Sequence, residues 1–194
     1  MKGSIAYRSN EAAIWAGRTP EKYHRLLPYI TGLAVLEIGA AEGVLSLLLA
    51  QRDPAARVIA LERRVDRHEA ALALKAHWLE LGRSVKGCHM VVGDIRDRLD
   101  LLQGIDTLVA SRTIYYLRES VFDVFATVAR HVPRVVLAGN PNRAQRYREG
   151  IPDDGLGPFN FYASVEGMTE VLERSGYTVG PIVREGDPIV VGHR

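Results

Sequence analysis

The sequence is short of several things at once, and each shortage removes a class of protein. It holds a single cysteine, Cys88, so no intrachain disulfide framework is possible, which fits a reducing compartment. Cys88 stands just before an apolar run and reads as a buried, inert thiol rather than a nucleophile. No apolar stretch nears the roughly 20 residues that cross a bilayer, and the opening MKGSIAYRSNEAAIW has no apolar core of signal-peptide type. The expectation is a cytoplasmic chain with no membrane partner. An excess of one charge is missing too. Lys and Arg number 25 against 23 Asp and Glu, a net of +2, which does not describe a dedicated nucleic-acid binder. The histidines at 24, 68, 77, 89, 131 and 193 share no spacing with cysteine or carboxylate that suggests a metal. None is expected.

What is present reads as one folded domain. Hydrophobic residues make up 47% and charged residues 25% of 194, which excludes general disorder and leaves little room for a second core. Leu33–Ile38, Arg57–Leu61, His89–Val92, Ile105–Ala110 and Arg134–Ala138 are short, rich in Val, Ile and Leu, and bounded by Gly, Pro or charge. They read as buried strands. Amphipathic stretches lie between them. Residues 119–131 set Val121, Val124, Phe125 and Val128 on one helical face. Val65–Leu81 aligns Val65, Leu72 and Leu79, with Leu74, Trp78 and Leu81 beside them. Pro54 ends a helix that opens at Glu42, and Pro133 precedes the fifth strand.

Strands alternating with helices predict a parallel sheet with helices on both faces. Near the C-terminus a helix over 163–175 leads to strand-like runs at Tyr177–Val183 and Pro188–His193, joined only by Arg184–Asp187 with Gly186 as the turn residue. That is a hairpin, so the last strand runs antiparallel. Residues 1–30 read as a helical cap, with Thr19-Pro20-Glu21 as a helix start. Residues 139–160 read as a long loop rich in Gly, Pro, Arg and Asn.

The strongest chemical signal is VLEIGAAEGVLSLLLA, Val35 to Ala50: a strand, then Glu37, Gly39 and Gly43, then a helix. Glycine is required where backbone must approach a ligand closely. The start of the helix, from Glu42 onward, offers N–H groups to a carboxylate. Crevices at the carboxyl ends of strands are where open α/β sheets bind ligands. A dinucleotide fingerprint is absent, because Ala41 and Val44 stand where its second and third glycines belong. No P-loop occurs either.

The segment resembles motif I of class I S-adenosylmethionine (SAM)-dependent methyltransferases, and the likeness runs over about residues 30–194. It implies an α/β fold with a seven-stranded, mostly parallel Rossmann-like sheet, an antiparallel last strand and helices on both faces. SAM is the implied cofactor and S-adenosylhomocysteine (SAH) its product. Glu37, Gly39, Ala40 and Gly43 would line the cofactor. Glu62 and Arg63, ending VIALER, would meet the ribose, the alternative being a solvated charge in the run ERR. Asp94 and Ile95, in VVGDI, would meet the adenine, although Asp94 could instead cap a following helical turn. DTLVASRTIYYL resembles the fourth-strand motif, whose loop faces the methyl group.

At that end Ser111, Arg112, Tyr115 and Tyr116 are the candidate catalytic residues, with Ser111 also against the cofactor. Arg112, Tyr115, Asn140 and Arg143 are candidates for the acceptor. One tyrosine could equally be a packing residue, and Arg112 could equally pair with a carboxylate. Residues 139–161, with Arg146, Tyr147, Arg148, Asp153 and Asp154, are either a solvated crossover or a substrate lid. Tyr7, Trp15 and Tyr23 could close over the cofactor or cap the core. A minimal domain with balanced charge points to a small-molecule acceptor. RNA is the runner-up, on Arg63, Arg64, Arg67 and the Arg-rich 139–161. A SAM-binding protein without transfer activity is the third reading, because no decisive catalytic base is present.

Overall fold

The computed structural model describes residues 14–15, 20–53, 56–151 and 155–194. The expectations for Tyr7, Thr19, Pro54, Asp153 and Asp154 fall outside them. Seven strands form one sheet: β1 (Ala34–Ile38), β2 (Arg57–Glu62), β3 (Cys88–Val92), β4 (Thr107–Ser111), β5 (Arg134–Ala138), β6 (Thr178–Val183) and β7 (Ile189–His193). Their order is β3-β2-β1-β4-β5-β7-β6. The first five pair in parallel, and β7 enters between β5 and β6 antiparallel to both. The reversed last strand is therefore as the hairpin predicted. Among the described residues the sheet is accompanied by the α-helices α1 (Glu21–Leu26), α2 (Val44–Arg52), α3 (Val65–Glu80), α4 (Val121–His131), α5 (Pro141–Arg148) and α6 (Val165–Arg174). Among the described residues, no helix is long and apolar enough to cross a membrane.

Alternation along each strand divides the core in two. Val35, Val58, Val109, Val136 and Val191 face a layer built with Leu26 of α1, most of α2, and Leu74 and Trp78 of α3. Leu36, Ile59, Leu108, Val135 and Val190 face the opposite layer, with α4 and α6. A strand buried on both sides must be apolar at successive positions, which is why these runs stood out in the sequence. Each fully buried Val or Leu contributes roughly 1.5–3 kcal/mol over leaving it exposed.

Three expectations are corrected. In α3 the aligned Val65, Leu72 and Leu79, with Leu81 just beyond, face solvent, and Ala71, Leu74 and Trp78 are buried. Counting leucines misjudged the face. The largest ring goes inside, with its indole N–H donating to the Ile14 carbonyl at 3.4 Å, and small Ala71 permits the helix to approach. The helix after β1 opens at Val44 and not at Glu42, because Gly43 sits at φ +71°, outside helical geometry. Residues 139–160 are no simple loop: they hold α5, and a 3-10 segment runs over Gly157–Ala163. Asn140 caps α5 by accepting the Asn142 N–H at 3.2 Å, and Pro141 occupies the first turn. Only Ala144 of α5 is buried, so the helix carries no apolar period to be read.

Candidate functional site

A cavity of about 420 Å³ opens at the carboxyl ends of β1, β2, β3 and β4, within the usual size of small-molecule sites. The structure brings Glu37, Gly39, Ala40, Glu62, Arg63, Asp94, Ile95, Ser111, Arg112 and Tyr116 to its walls. Parallel register explains this convergence. Glu37 lies opposite Ala60 of β2 and Val109 of β4, and Glu62 lies opposite Val92 of β3, so the loops that follow these strands meet at one level. Gly39 is at φ +69°, and a Cβ there would collide with the Thr113 side chain. The loop therefore needs glycine both for its backbone and for its clearance. Gly43, at φ +71°, has the same need: a Cβ would stand 2.8 Å from Met90 Cε.

Glu37 is buried at the cavity floor. Its carboxylate accepts the Ser46 hydroxyl at 2.6 Å and the Ser46 backbone N–H in the first turn of α2. Burial pushes its pKa up from 4.5 to about 7, against the opposing pull of the Ser46 hydrogen bonds. The helix N-terminus thus receives a carboxylate of the protein itself. Glu62 is also buried and accepts two backbone N–H groups, Ala41 at 2.8 Å and Arg64 at 2.9 Å. It is not the solvated charge of the alternative reading. Asp94 caps the 3-10 turn Ile95–Asp97 through the Arg96 N–H at 3.0 Å and grips the Arg96 guanidinium at 2.6 Å. That charged hydrogen bond holds its pKa below the usual carboxylate range. Asp94 therefore caps and lines the cavity together.

At the β4 end the candidates separate. Arg112, at φ +54°, forms a two-pronged ion pair with Asp187 in the β6–β7 turn, at 2.8 and 2.6 Å. Tyr116 lines the cavity, and its hydroxyl accepts from Arg143 at 3.2 Å. Arg63 and Arg143 both lie over its ring, at 5.7 and 5.4 Å. Tyr115 does not reach the cavity. It is buried with Leu156 and Ala163, and its hydroxyl bonds the Asn140 side chain. Asn140 and Arg143 stand behind the tyrosines rather than on the cavity wall, and Arg143 also donates to Asn160 at 3.1 Å.

Sequence reasoning missed Lys22, Thr113 and Leu117, which also line the cavity. Lys22 carried no signal, since a lysine on a short helix reads as solvent-facing. Of the aromatic candidates near the N-terminus, Tyr23 is at the cavity, while Trp15 packs on the His77 ring at 5.3 Å. Cys88 is buried, and its pKa is pushed up to about 12 by that burial, consistent with an inert thiol. Among the described residues, no group of three His, Cys, Asp or Glu is placed to hold a metal.

No protein-family model matches the sequence, and no curated protein matches it. Solved structures do match in fold. A SAM-dependent methyltransferase from Aquifex aeolicus shares 16% identity at a TM-score of 0.61, covering 94% of this chain and 96% of its own. Precorrin-6y C5,15-methyltransferase from Geobacter metallireducens GS-15 shares 17% at 0.62, covering 90% and 88%. WbdD, co-crystallised with a kinase inhibitor, shares 16% at 0.60 over 98% of this chain. The present chain spans 41% of WbdD's length. The protein has the class I, Rossmann-like methyltransferase fold.

Proposed function

We propose that this protein transfers a methyl group from SAM to a small-molecule acceptor by in-line displacement, leaving SAH. The observation that carries the reading is Glu62. Two backbone N–H groups, one from the glycine loop and one from the turn after β2, lock its carboxylate at the cavity wall. They use two of about four acceptor positions on the carboxylate and leave the others for the vicinal hydroxyls of a ribose. Asp94 and Ile95 lie on the adenine side. Gly39 and Ala40 pass beneath the ligand, at a point where a Cβ on Gly39 has no room.

The bound donor supplies a methyl group already activated on a sulfonium, so the chain's task is alignment and exclusion of water. Ser111, Arg112 and Tyr116 stand at the acceptor end. Arg112 is steadied there by Asp187, and Tyr116 by Arg143. Within the 139–161 substrate lid, α5 reaches that end through the contact of Arg143 with Tyr116. From the N-terminal cap, α1 brings Lys22 and Tyr23 to the cavity beside Arg112, within a single domain working in the cytoplasm. Two of the arginines behind the RNA reading are matched by carboxylates: Arg64 pairs with Asp66 and Arg67 with Glu42. That favours a small acceptor.

Calorimetry with SAM, SAH and NAD tests the proposal. SAM and SAH are expected to bind and NAD not. Absence of SAM and SAH binding overturns it, and binding without SAH formation across a broad acceptor panel moves the reading to a non-transferring SAM binder. Salt-steep RNA binding would move the acceptor to RNA.

A further inference from the structure

One wall of the cavity carries a partly desolvated cation. Lys22 projects from α1 into the cavity wall, half-buried, and its ammonium lies over the Tyr23 ring at 4.6 Å. Among the described residues it forms no ion pair and no hydrogen bond. It senses Glu37 and Asp187 electrostatically across a gap, while burial and the neighbouring Arg112 lower its pKa. Arg112, beside it, is already saturated by Asp187. A desolvated ammonium gains most from a carboxylate supplied by a ligand.

The backbone offers that carboxylate little. The N–H groups of Gly39 and Ala40 donate to Leu61 O, that of Ala41 to Glu62 and that of Gly43 to Ala40 O. Ser46 at the helix start is engaged with Glu37. With the ribose at Glu62 and adenine toward Asp94, the remaining end of the donor points to β1 and β4, between Glu37 and Lys22. An α-amino acid is a zwitterion: Lys22 presents an ammonium to its carboxylate, and Glu37 presents carboxyl oxygens to its ammonium.

Resting on the SAM reading above, we propose that Lys22 binds the α-carboxylate of the methyl donor, with Glu37 on the ammonium side. The test compares SAH with its decarboxylated analogue, which keeps the adenosine, the sulfur and the amine. Calorimetry on the full chain is expected to show SAH binding ~10- to 100-fold more tightly than the analogue, the range of a charge-assisted hydrogen bond. Lys22→Met erases that preference by weakening SAH alone, and Lys22→Arg keeps most of it. Thermal melts check that the variants fold, with Lys22→Gln as the substitute for a misfolded Lys22→Met. An undiminished preference in Lys22→Met, or equal weakening of both ligands, overturns the assignment while leaving the SAM reading intact. Failure of the unmodified protein to bind SAH overturns both.

Discussion

Glu37→Gln should stabilise the ligand-free protein at alkaline pH and leave it unchanged in acid. Glu37 is buried, and its pKa rises from 4.5 to about 7 because burial penalises the carboxylate. The folded state therefore binds a proton that the unfolded state has already released between these values. Stability falls as pH rises across that window: it is fully present below about 4.5 and lost as pH passes through about 7. The rise is equivalent to about 3 kcal/mol at about 1.4 kcal/mol per tenfold. Glutamine keeps the shape and can still accept the Ser46 hydroxyl, but it carries no charge to desolvate. Urea unfolding of both proteins at pH 5 and pH 8 measures the difference. The variant should gain about 1–3 kcal/mol over the parent on going from pH 5 to pH 8, or several degrees in Tm for a chain of this size. Other titrating groups cancel in that comparison. A gap independent of pH, or one that widens toward acid, would refute the reasoning and mean that Glu37 is charged without penalty, satisfied by Ser46 and Lys22.

Gly39→Arg should abolish SAH binding in calorimetry, because the new side chain meets Thr113 and enters the cavity. The left-handed backbone adds a cost of about 1–2 kcal/mol, so the melt should drop modestly and remain cooperative. Leu74→Ala and Leu72→Ala test the corrected face of α3 by urea unfolding. The first, at a buried site, should cost about 2–5 kcal/mol, and the second, at an exposed one, less than about 0.5 kcal/mol; equal losses would contradict the burial described.

What was legible in the sequence follows from how parallel strands are built. Burial on both faces demands consecutive apolar residues, so β1, β2, β4 and β5 could be read to within a residue or two. Their shared direction then set Glu37, Gly39, Glu62 and Asp94 at one end of the sheet, and all four line the same cavity. Signals that depend on distant pairing were not readable. Nothing local says that Arg112 will meet Asp187, 75 residues later. Lys22 enters the cavity because α1 is carried across the sheet: Arg52 of α2 holds the Leu27 and Ile30 carbonyls, and Arg25 donates to the Glu185 carbonyl in the β6–β7 turn. Helix α5 escaped for a different reason. Its stability comes from a cap, a proline and surface polarity rather than an apolar stripe.

The two tyrosines after β4 show how the β4 end of the cavity is decided. They are equivalent as letters, but they sit in a 3-10 segment over Ile114–Ser120, where neighbours are about 120° apart and cannot face one cavity together. Tyr116 takes the wall, and Tyr115 goes into a small core with Leu156 and Ala163. Both nonetheless reach α5, Tyr115 through the capping Asn140 and Tyr116 through Arg143 one turn on. The position of α5 is thus tied to the orientation of the ring at the β4 end of the cavity. Substitutions on a polar, mostly exposed helix would then reshape this wall of the cavity while leaving β1, β2 and their carboxylates untouched. A domain arranged this way separates the carboxylates fixed by the sheet from a cavity wall set by contacts that no single stretch of sequence contains.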